Sequence, residues 1–146
     1  MKIKVKKLTE TAKLPTRAYN LDSGLDLFTI QDVTLQPLER QLVSTGIAIE
    51  LPTIIYPDYT VEATVRPKSG LSAKGLYVAL GTIDNEYTGE IKVLLINLSN
   101  ELIELKQGQK IAQLVIQKVY LPEVVEVEEL ATRSRGNAGF GSSGSF

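Results

Sequence analysis

Apolar and polar residues alternate with a period of two along most of the chain, the spacing expected of half-buried β-strands. Ile3 and Val5 stand between lysines, and Leu25, Leu27, Phe28 and Ile30 make a short run. Residues 41–50 hold Val43, Ile47 and Ile49 on one phase, and residues 60–66 alternate about Val61, Ala63 and Val65. Residues 76–83 are mostly apolar, 90–98 and 110–120 read most strongly as strands, and 124–128 add a weaker one. Turn-forming residues separate these runs: 35–40 around Pro37, 51–58 with Pro52 and Pro57, Gln107-Gly108, and Leu121-Pro122. No stretch keeps an apolar stripe at 3.6 residues, and residues 69–75 suit a helical turn or two. Many short strands with frequent turns predict an all-β sandwich, jelly roll or barrel. The absence of βαβ alternation excludes a doubly wound fold.

Residues 91–98 depart from simple alternation. Ile91, Val93, Leu95 and Asn97 lie on one face, and Lys92, Leu94, Ile96 and Leu98 on the other. The middle of this strand is apolar on both faces, so both are predicted to be covered. Either a second subunit or a third layer of the same chain does this. Few residues remain for a third layer, so an oligomer is expected.

Composition narrows the chemistry. The 146 residues carry sixteen Lys and Arg against seventeen Asp and Glu, a net charge of −1, with no His, Cys or Trp. The length suits one domain with a real core. Without cysteine there is no disulfide, thiol nucleophile or cysteine-held metal, and without histidine no Ser-His-Asp triad. The balanced charge argues against a dedicated nucleic-acid binder. The start, MKIKVKKL, lacks the apolar stretch of a secretory signal, and the longest aliphatic run, residues 93–96, is far short of a membrane span. A soluble cytoplasmic protein is expected. Any catalysis must rest on carboxylates, hydroxyls, a hard metal ion or backbone groups.

Residues 131–146, ATRSRGNAGFGSSGSF, hold four glycines, four serines, two arginines and no acid. Alone they cannot bury enough surface to fold. They read either as an unstructured tail or as an arm that orders over a ligand, with Arg135 supplying charge and Phe140 a flat apolar cover. Within them, GFGSSG at 139–144 fits the spacing of a dinucleotide fingerprint but lacks its preceding strand and following helix. What remains is glycine backbone and hydroxyls able to cradle phosphate oxygens. RPKSGL at 66–71 is a locally basic stretch that suits either phosphate or a solvated turn. GTIDNEYTG at 81–89 places Asp84 and Glu86 in a short turn. There a carboxylate can deprotonate water and Tyr87 can pack on a flat ligand, although these are also ordinary turn residues. In DSGLDL at 22–27, Asp26 sits between core leucines and needs a partner, a structural arginine or water around a metal.

Taken together and in order, these stretches resemble the trimeric dUTP diphosphatases (dUTPases). The resemblance is carried by SGLDL at 23–27, RPKSGLSAKGL at 66–76, GTIDNEYTGEI at 81–91, GQKIAQLV at 108–115 and RGNAGFGSSG at 135–144, with STGIAIELP at 44–52 between them. It implies a β jelly-roll domain over residues 1–130, a glycine-rich arm over 131–146 that closes on the active site, and a homotrimer with sites between subunits. The implied reaction is dUTP plus water to dUMP and pyrophosphate with Mg2+, which supplies dUMP and keeps uracil out of DNA.

By resemblance, Asp84 activates the water that attacks the α-phosphorus, and Asp26 supports the metal through bound water. Tyr87 packs against the deoxyribose and excludes a ribose 2′-hydroxyl. The backbone of residues 78–84, with Gly81, Thr82 and Ile83, reads uracil. Lys68, Ser69, Gly70 and Gln113 meet the phosphates. Arg135 binds the γ-phosphate region, Phe140 covers the base, and Gly141, Ser142 and Ser143 line the triphosphate.

Some positions depart from the family pattern. Lys68 and Lys110 stand where arginine is usual, Glu86 replaces a more common aspartate, Ala138 replaces a glycine of the arm, and Val78 and Ala79 occupy a hairpin that often holds asparagine. A dCTP deaminase of the same fold is the alternative enzyme, though it needs a glutamate base where this turn has TIDNEY. A regulatory protein partner is the alternative added role if the chain is phage-encoded, in which case the host cytoplasm is its expected place.

Overall fold

The structure, a computed structural model, describes residues 1–53, 58–139 and 142. Among these residues ten strands and one short helix follow in order: β1 Lys4–Lys7, β2 Gly24–Phe28, β3 Val33–Leu35, β4 Arg40–Glu50, β5 Tyr59–Arg66, α1 Ser69–Ser72, β6 Leu76–Val78, β7 Gly81–Ile83, β8 Glu90–Asn97, β9 Ile103–Leu105 and β10 Lys110–Tyr120. They form two four-stranded sheets, β1-β4-β8-β6 and β2-β10-β5-β7, and a two-stranded β3-β9 pair. Among the described residues all strand pairings are antiparallel. The chain is all-β with a jelly-roll architecture, as its alternation predicts.

The core lies between the large sheets. Val43, Ile47, Ile49, Ile91, Val93 and Leu95 face inward from one, and Leu27, Ala63, Val65 and Leu114 from the other. Burying such side chains is the main favourable term, about 1.5–3 kcal/mol for each large aliphatic. Leu35 of β3 and Leu105 of β9 close the end of the sandwich.

Three differences from the sequence reading have physical causes. Residues 76–83 are not one strand: β6 belongs to one sheet and β7 to the other, and the chain changes sheet at Ala79-Leu80. Strands β3 and β9 were not predicted, because three residues offer only two inward positions each. Residues 124–128 form no strand, and every described residue from Leu121 to Gly139 is exposed. The expected turn at 51–58 falls partly on residues 54–57, which lie outside the described residues.

On β8, Ile91, Val93, Leu95 and Asn97 are buried, whereas Leu94 and Ile96 on the outer face are half-buried. Leu98 beyond it, and Leu42 on β4, are exposed. Among the described residues no third layer covers that face. Asn97 is fully buried with its amide saturated: Nδ2 donates to Leu35 O (3.0 Å) and Glu101 O (2.7 Å), and Oδ1 accepts from Ser99 N (2.9 Å) and Oγ (2.7 Å).

Two turns of one geometry are built from different residues. In each, the fourth residue donates its N–H to the first carbonyl: Glu39 to Gln36 at 3.0 Å, and Gln109 to Lys106 at 2.9 Å. The third residue has positive φ in both, 78° at Gly108 and 63° at Leu38. Glycine adopts this conformation without strain, whereas a leucine loses roughly 1–2 kcal/mol. Leu38 is 77% exposed and contributes little packing in return. Leu38→Gly is therefore expected to stabilise the fold by about 0.5–1 kcal/mol, after the entropic cost of glycine. Chemical denaturation should show a higher midpoint at unchanged slope.

Candidate active site

β10 is paired along both edges, and Gln113 stands opposite Asp26 of β2 on one side and Arg66 of β5 on the other. Directly opposed residues project from the same face of a sheet, so Asp26, Gln113 and Arg66 form one row on the outer face. Lys110 joins that face through a bulge. The register shifts between Lys110 and Ala112, and Ile111 and Ala112 are consecutive yet both fully buried. The extra inward residue reverses the phase of the strand.

Asp26 is only 4% exposed. Its N–H donates to Thr16 O at 2.7 Å in an isolated antiparallel bridge, which ties the chain before β2 to the free edge of that strand. Lys68 donates to its Oδ1, and Lys110 Nζ stands 2.6 Å from Oδ2 as an ion pair outside ordinary hydrogen-bond angles. The partner expected for this carboxylate is thus two lysines rather than an arginine. Burial pushes the Asp26 carboxyl upward, but Lys110 and Lys68 outweigh it and hold the group below the usual carboxylate range.

Gln113 ties in the neighbouring loop. Its Nε2 donates to Pro67 O at 2.8 Å, directly before Lys68, Ser69 and Gly70. This depends on Gly24, where a Cβ would stand 2.0 Å from Gln113 Oε1. Ser69 and Gly70 are exposed in α1. Arg66 is directed elsewhere: it donates to Thr64 Oγ1 (3.0 Å) and Gln117 Oε1 (2.5 Å) and takes no part in the Asp26 cluster.

A second group of predicted residues lies on β7 and the turn after it. Gly81, Thr82 and Ile83 form β7, with Ile83 buried and Thr82 exposed. Tyr87 N donates to Asp84 O at 3.0 Å and closes the turn. The Asp84 side chain is exposed and makes no hydrogen bond or ion pair among the described residues. Tyr87 is exposed, and its hydroxyl donates to Glu90 O at 3.0 Å. Sequence reasoning missed two supports of this turn. Glu90 Oε1 accepts from Gly46 N at 3.0 Å, at the register break of β4 on β8. Asn85 binds two backbone carbonyls, of Pro52 and Val61.

The two groups are far apart in one chain. Continuing the pairing of Ala63 with Ile83, Asp84 falls level with Glu62, four residues along β5 from the row of Asp26 and Gln113. At about 3.3 Å per residue and 4.8 Å per strand, that is roughly 13 Å along the strands and 14 Å across them, or some 19 Å. The arm is separate again. Arg135 Nε donates to Ala138 O at 3.0 Å and Ser142 N to Gly139 O at 3.0 Å. No hydrogen bond joins residues 122–139 to the body among the described residues. Phe140, Gly141 and Ser143 lie outside the described residues.

Among the described residues no three of Asp, Glu, His and Cys cluster to hold a metal. This donor set suits an ion that brings its own water and phosphate ligands, as magnesium does. A hydrated cation at Asp26 would have to displace at least one lysine.

The depressed Asp26 group makes stability depend on pH. Its contribution is fully present above the unfolded carboxylate value of about 3.9 and is lost as pH falls through the lower folded value. Asp26→Asn leaves two ammonium groups facing each other and should cost about 1–3 kcal/mol at pH 7, discounted because both lysines are partly exposed. Unfolding measured from pH 7 down to 2 should show this difference shrinking below pH 4.

The model of the dUTPase family matches residues 10–144. A deoxyuridine 5'-triphosphate nucleotidohydrolase from Hydrogenobaculum sp. is 51% identical over 99% of both chains, and one from Nautilia profundicola is 46% identical over 99% of both. The dUTPase of Staphylococcus bacteriophage 80alpha, solved with dUpNHpp, superposes with a TM-score of 0.88 at 29% identity, covering 98% of each chain. A mutant dUTPase from phage phi11 of S. aureus, described for its coordination of a structural Mg(II) ion, gives 0.79 at 26% identity over 88% of this chain and 98% of its own. With the jelly roll, the ordered motifs and this full-length likeness in agreement, the chain belongs to the dUTPase family.

Proposed function

We propose that the protein hydrolyses dUTP to dUMP and pyrophosphate by attack of water at the α-phosphorus. The observation that carries this is the turn after β7, where an exposed, unpaired Asp84 carboxylate stands three residues from an exposed Tyr87 in a chain matched by the family over residues 10–144. Asp84 accepts the proton of the attacking water. Tyr87, held through its hydroxyl to Glu90 O, lies against the deoxyribose, and the backbone of residues 78–84 reads the uracil edge. A site built to pair the uracil edge leaves a cytosine amino group unmatched, so dCTP is rejected. Lys68, Ser69, Gly70 and Gln113 receive the phosphates. Asp26 would hold magnesium through water, and the bound ion would supply charge neutralisation on the triphosphate. The arm, residues 131–146, closes over the nucleotide with Arg135 on the γ-phosphate, Phe140 on the base, and Gly141, Ser142 and Ser143 along the phosphates, while residues 1–130 form the folded domain.

A homotrimer is part of this reading. The proposed site must bring Asp84 and Asp26 to one nucleotide, and a single chain separates them by roughly 19 Å. Two chains supply them at one interface. The uncovered Leu42, Leu98 and Tyr77 and the exposed Val124, Val125 and Val127 are apolar surface that assembly would bury. Among the described residues no helix is long and apolar enough to cross a membrane, and a cytoplasmic enzyme fits this reading. The deaminase alternative is not favoured, since the matching family and relatives are those of the dUTP enzymes. No described residue supports a regulatory protein partner.

The test is pyrophosphate release from dUTP, UTP, dTTP and dCTP, with and without magnesium. Release from dUTP alone among the four is expected, and ammonia release from dCTP would overturn the assignment. Asp84→Asn should bind a non-hydrolysable dUTP analogue normally and lose about 10²–10⁴-fold in kcat. Removing residues 131–146 should leave the assembly intact by light scattering and strongly reduce turnover.

A further inference from the structure

We propose that Asn85 is a positioning residue of the reaction, whose side-chain amide ends the β5–β7 ladder and thereby fixes the direction of the Asp84 carboxylate. The inference rests on the reading of Asp84 as the water activator.

The argument starts from register. β7 pairs with β5 as Val65 with Gly81, Thr64 with Thr82 and Ala63 with Ile83. Two residues further on, Val61 falls opposite Asn85, where the next backbone pair of the ladder belongs. The backbone does not make it, because the chain leaves the sheet at Asp84 to form the turn closed by Tyr87 N and Asp84 O. Val61 O would be left without a partner on that side. Asn85 Nδ2 donates to it at 3.0 Å and takes the place of the missing backbone N–H. The second proton of the same nitrogen goes to Pro52 O at 3.2 Å. The amide orientation follows from these partners, since its oxygen cannot face two carbonyls.

One side chain therefore fastens the turn to β5 and to the chain leaving β4. Both anchors come from the folded body, and both act on the residue next to Asp84. Asp84 has no side-chain partner of its own among the described residues, so the backbone alone aims its carboxylate. A turn freed at residue 85 shifts that carboxylate relative to the phosphorus, and misplacement by about 1 Å costs on the order of 10²-fold in rate. The chemistry at 85 is demanding: two donors on a short stem. Asp has the same shape and no donor when ionised, Ala has neither, and Ser offers a single donor.

The experiment measures kcat, KM and the Kd of a non-hydrolysable dUTP analogue for the full chain carrying Asn85→Ala, Asn85→Asp or Asn85→Ser, beside Asp84→Asn. Temperatures are kept well below each melting point. The expected result is a kcat loss of about 10–100-fold for Ala and Asp, a smaller loss for Ser, and KM and analogue Kd within threefold of the parent. A parent-like kcat in the Ala and Asp variants overturns the proposal. So does a kcat loss matched by equal weakening of analogue binding, which marks a merely structural residue. If Ala and Asp do not fold, Ser decides alone: parent-like kcat overturns the proposal, and a kcat loss at unchanged Kd sustains it. Turnover retained by Asp84→Asn defeats the reading of Asp84 itself. An inactive Asp84→Asn beside parent-like Asn85 variants defeats the positioning role alone.

Discussion

β10 is hydrogen-bonded along both edges, and the half of the candidate site proposed to face phosphate takes its arrangement from that double pairing. Residues opposed across antiparallel strands share a face, so placing Gln113 between Asp26 and Arg66 puts three polar side chains in one row. The bulge at the start of β10 adds Lys110 to the same face. Gln113 then draws in Pro67 and the loop beyond it. A one-residue slip of β10 would send Gln113 into the core and Leu114 out to solvent. The apolar packing of Ile111, Ala112 and Leu114 thus holds a polar cluster that contributes little burial of its own.

Strands that alternate over five or more residues were legible in the sequence, because period-two alternation is what one buried face imposes. β4, β5, β8 and β10 follow their predicted spans to within a residue or so. What was not legible depended on partners elsewhere in the chain. A uniformly apolar run such as 76–83 carries no mark of where the chain passes from one sheet to the other. The valines at 124, 125 and 127 stand among acids in a run that reads as a strand, yet among the described residues no strand pairs with them. The uncovered outer face of β8 was legible, since Leu94 and Ile96 have no inward role once Val93 and Leu95 fill the core.

At the site, the motif residues were visible as types and their supports were not. Asp26 flanked by core leucines announced a need for a counter-charge, but the identity of that charge depended on the phase reversal at Ile111-Ala112. That signal was present as two adjacent apolar residues within an alternating strand. Asn85 looked like an ordinary turn residue, and its use appears only when the β5–β7 register is carried two residues past the last pair. Glu90 reads as the polar start of a strand until Gly46 leaves an N–H unpaired across from it.

Lys68 and Lys110 stand where the family pattern has arginine, and they bear on how the proposed phosphate site is oriented. A guanidinium orients itself on a phosphate through its planar fork, whereas an ammonium is a point charge on a flexible stem. Here the Asp26 carboxylate supplies the orientation instead. It is nearly inaccessible, fixed by its own backbone bond to Thr16, and it engages one ammonium at each oxygen. Two positive charges so close together repel, and the buried carboxylate between them offsets that repulsion while leaving the trio a net charge of +1. On the proposed function, an arriving triphosphate meets positive charge already gathered on one face. The cost of assembling it has been met in folding, which is the condition under which electrostatic stabilisation accelerates a reaction rather than merely tightening binding.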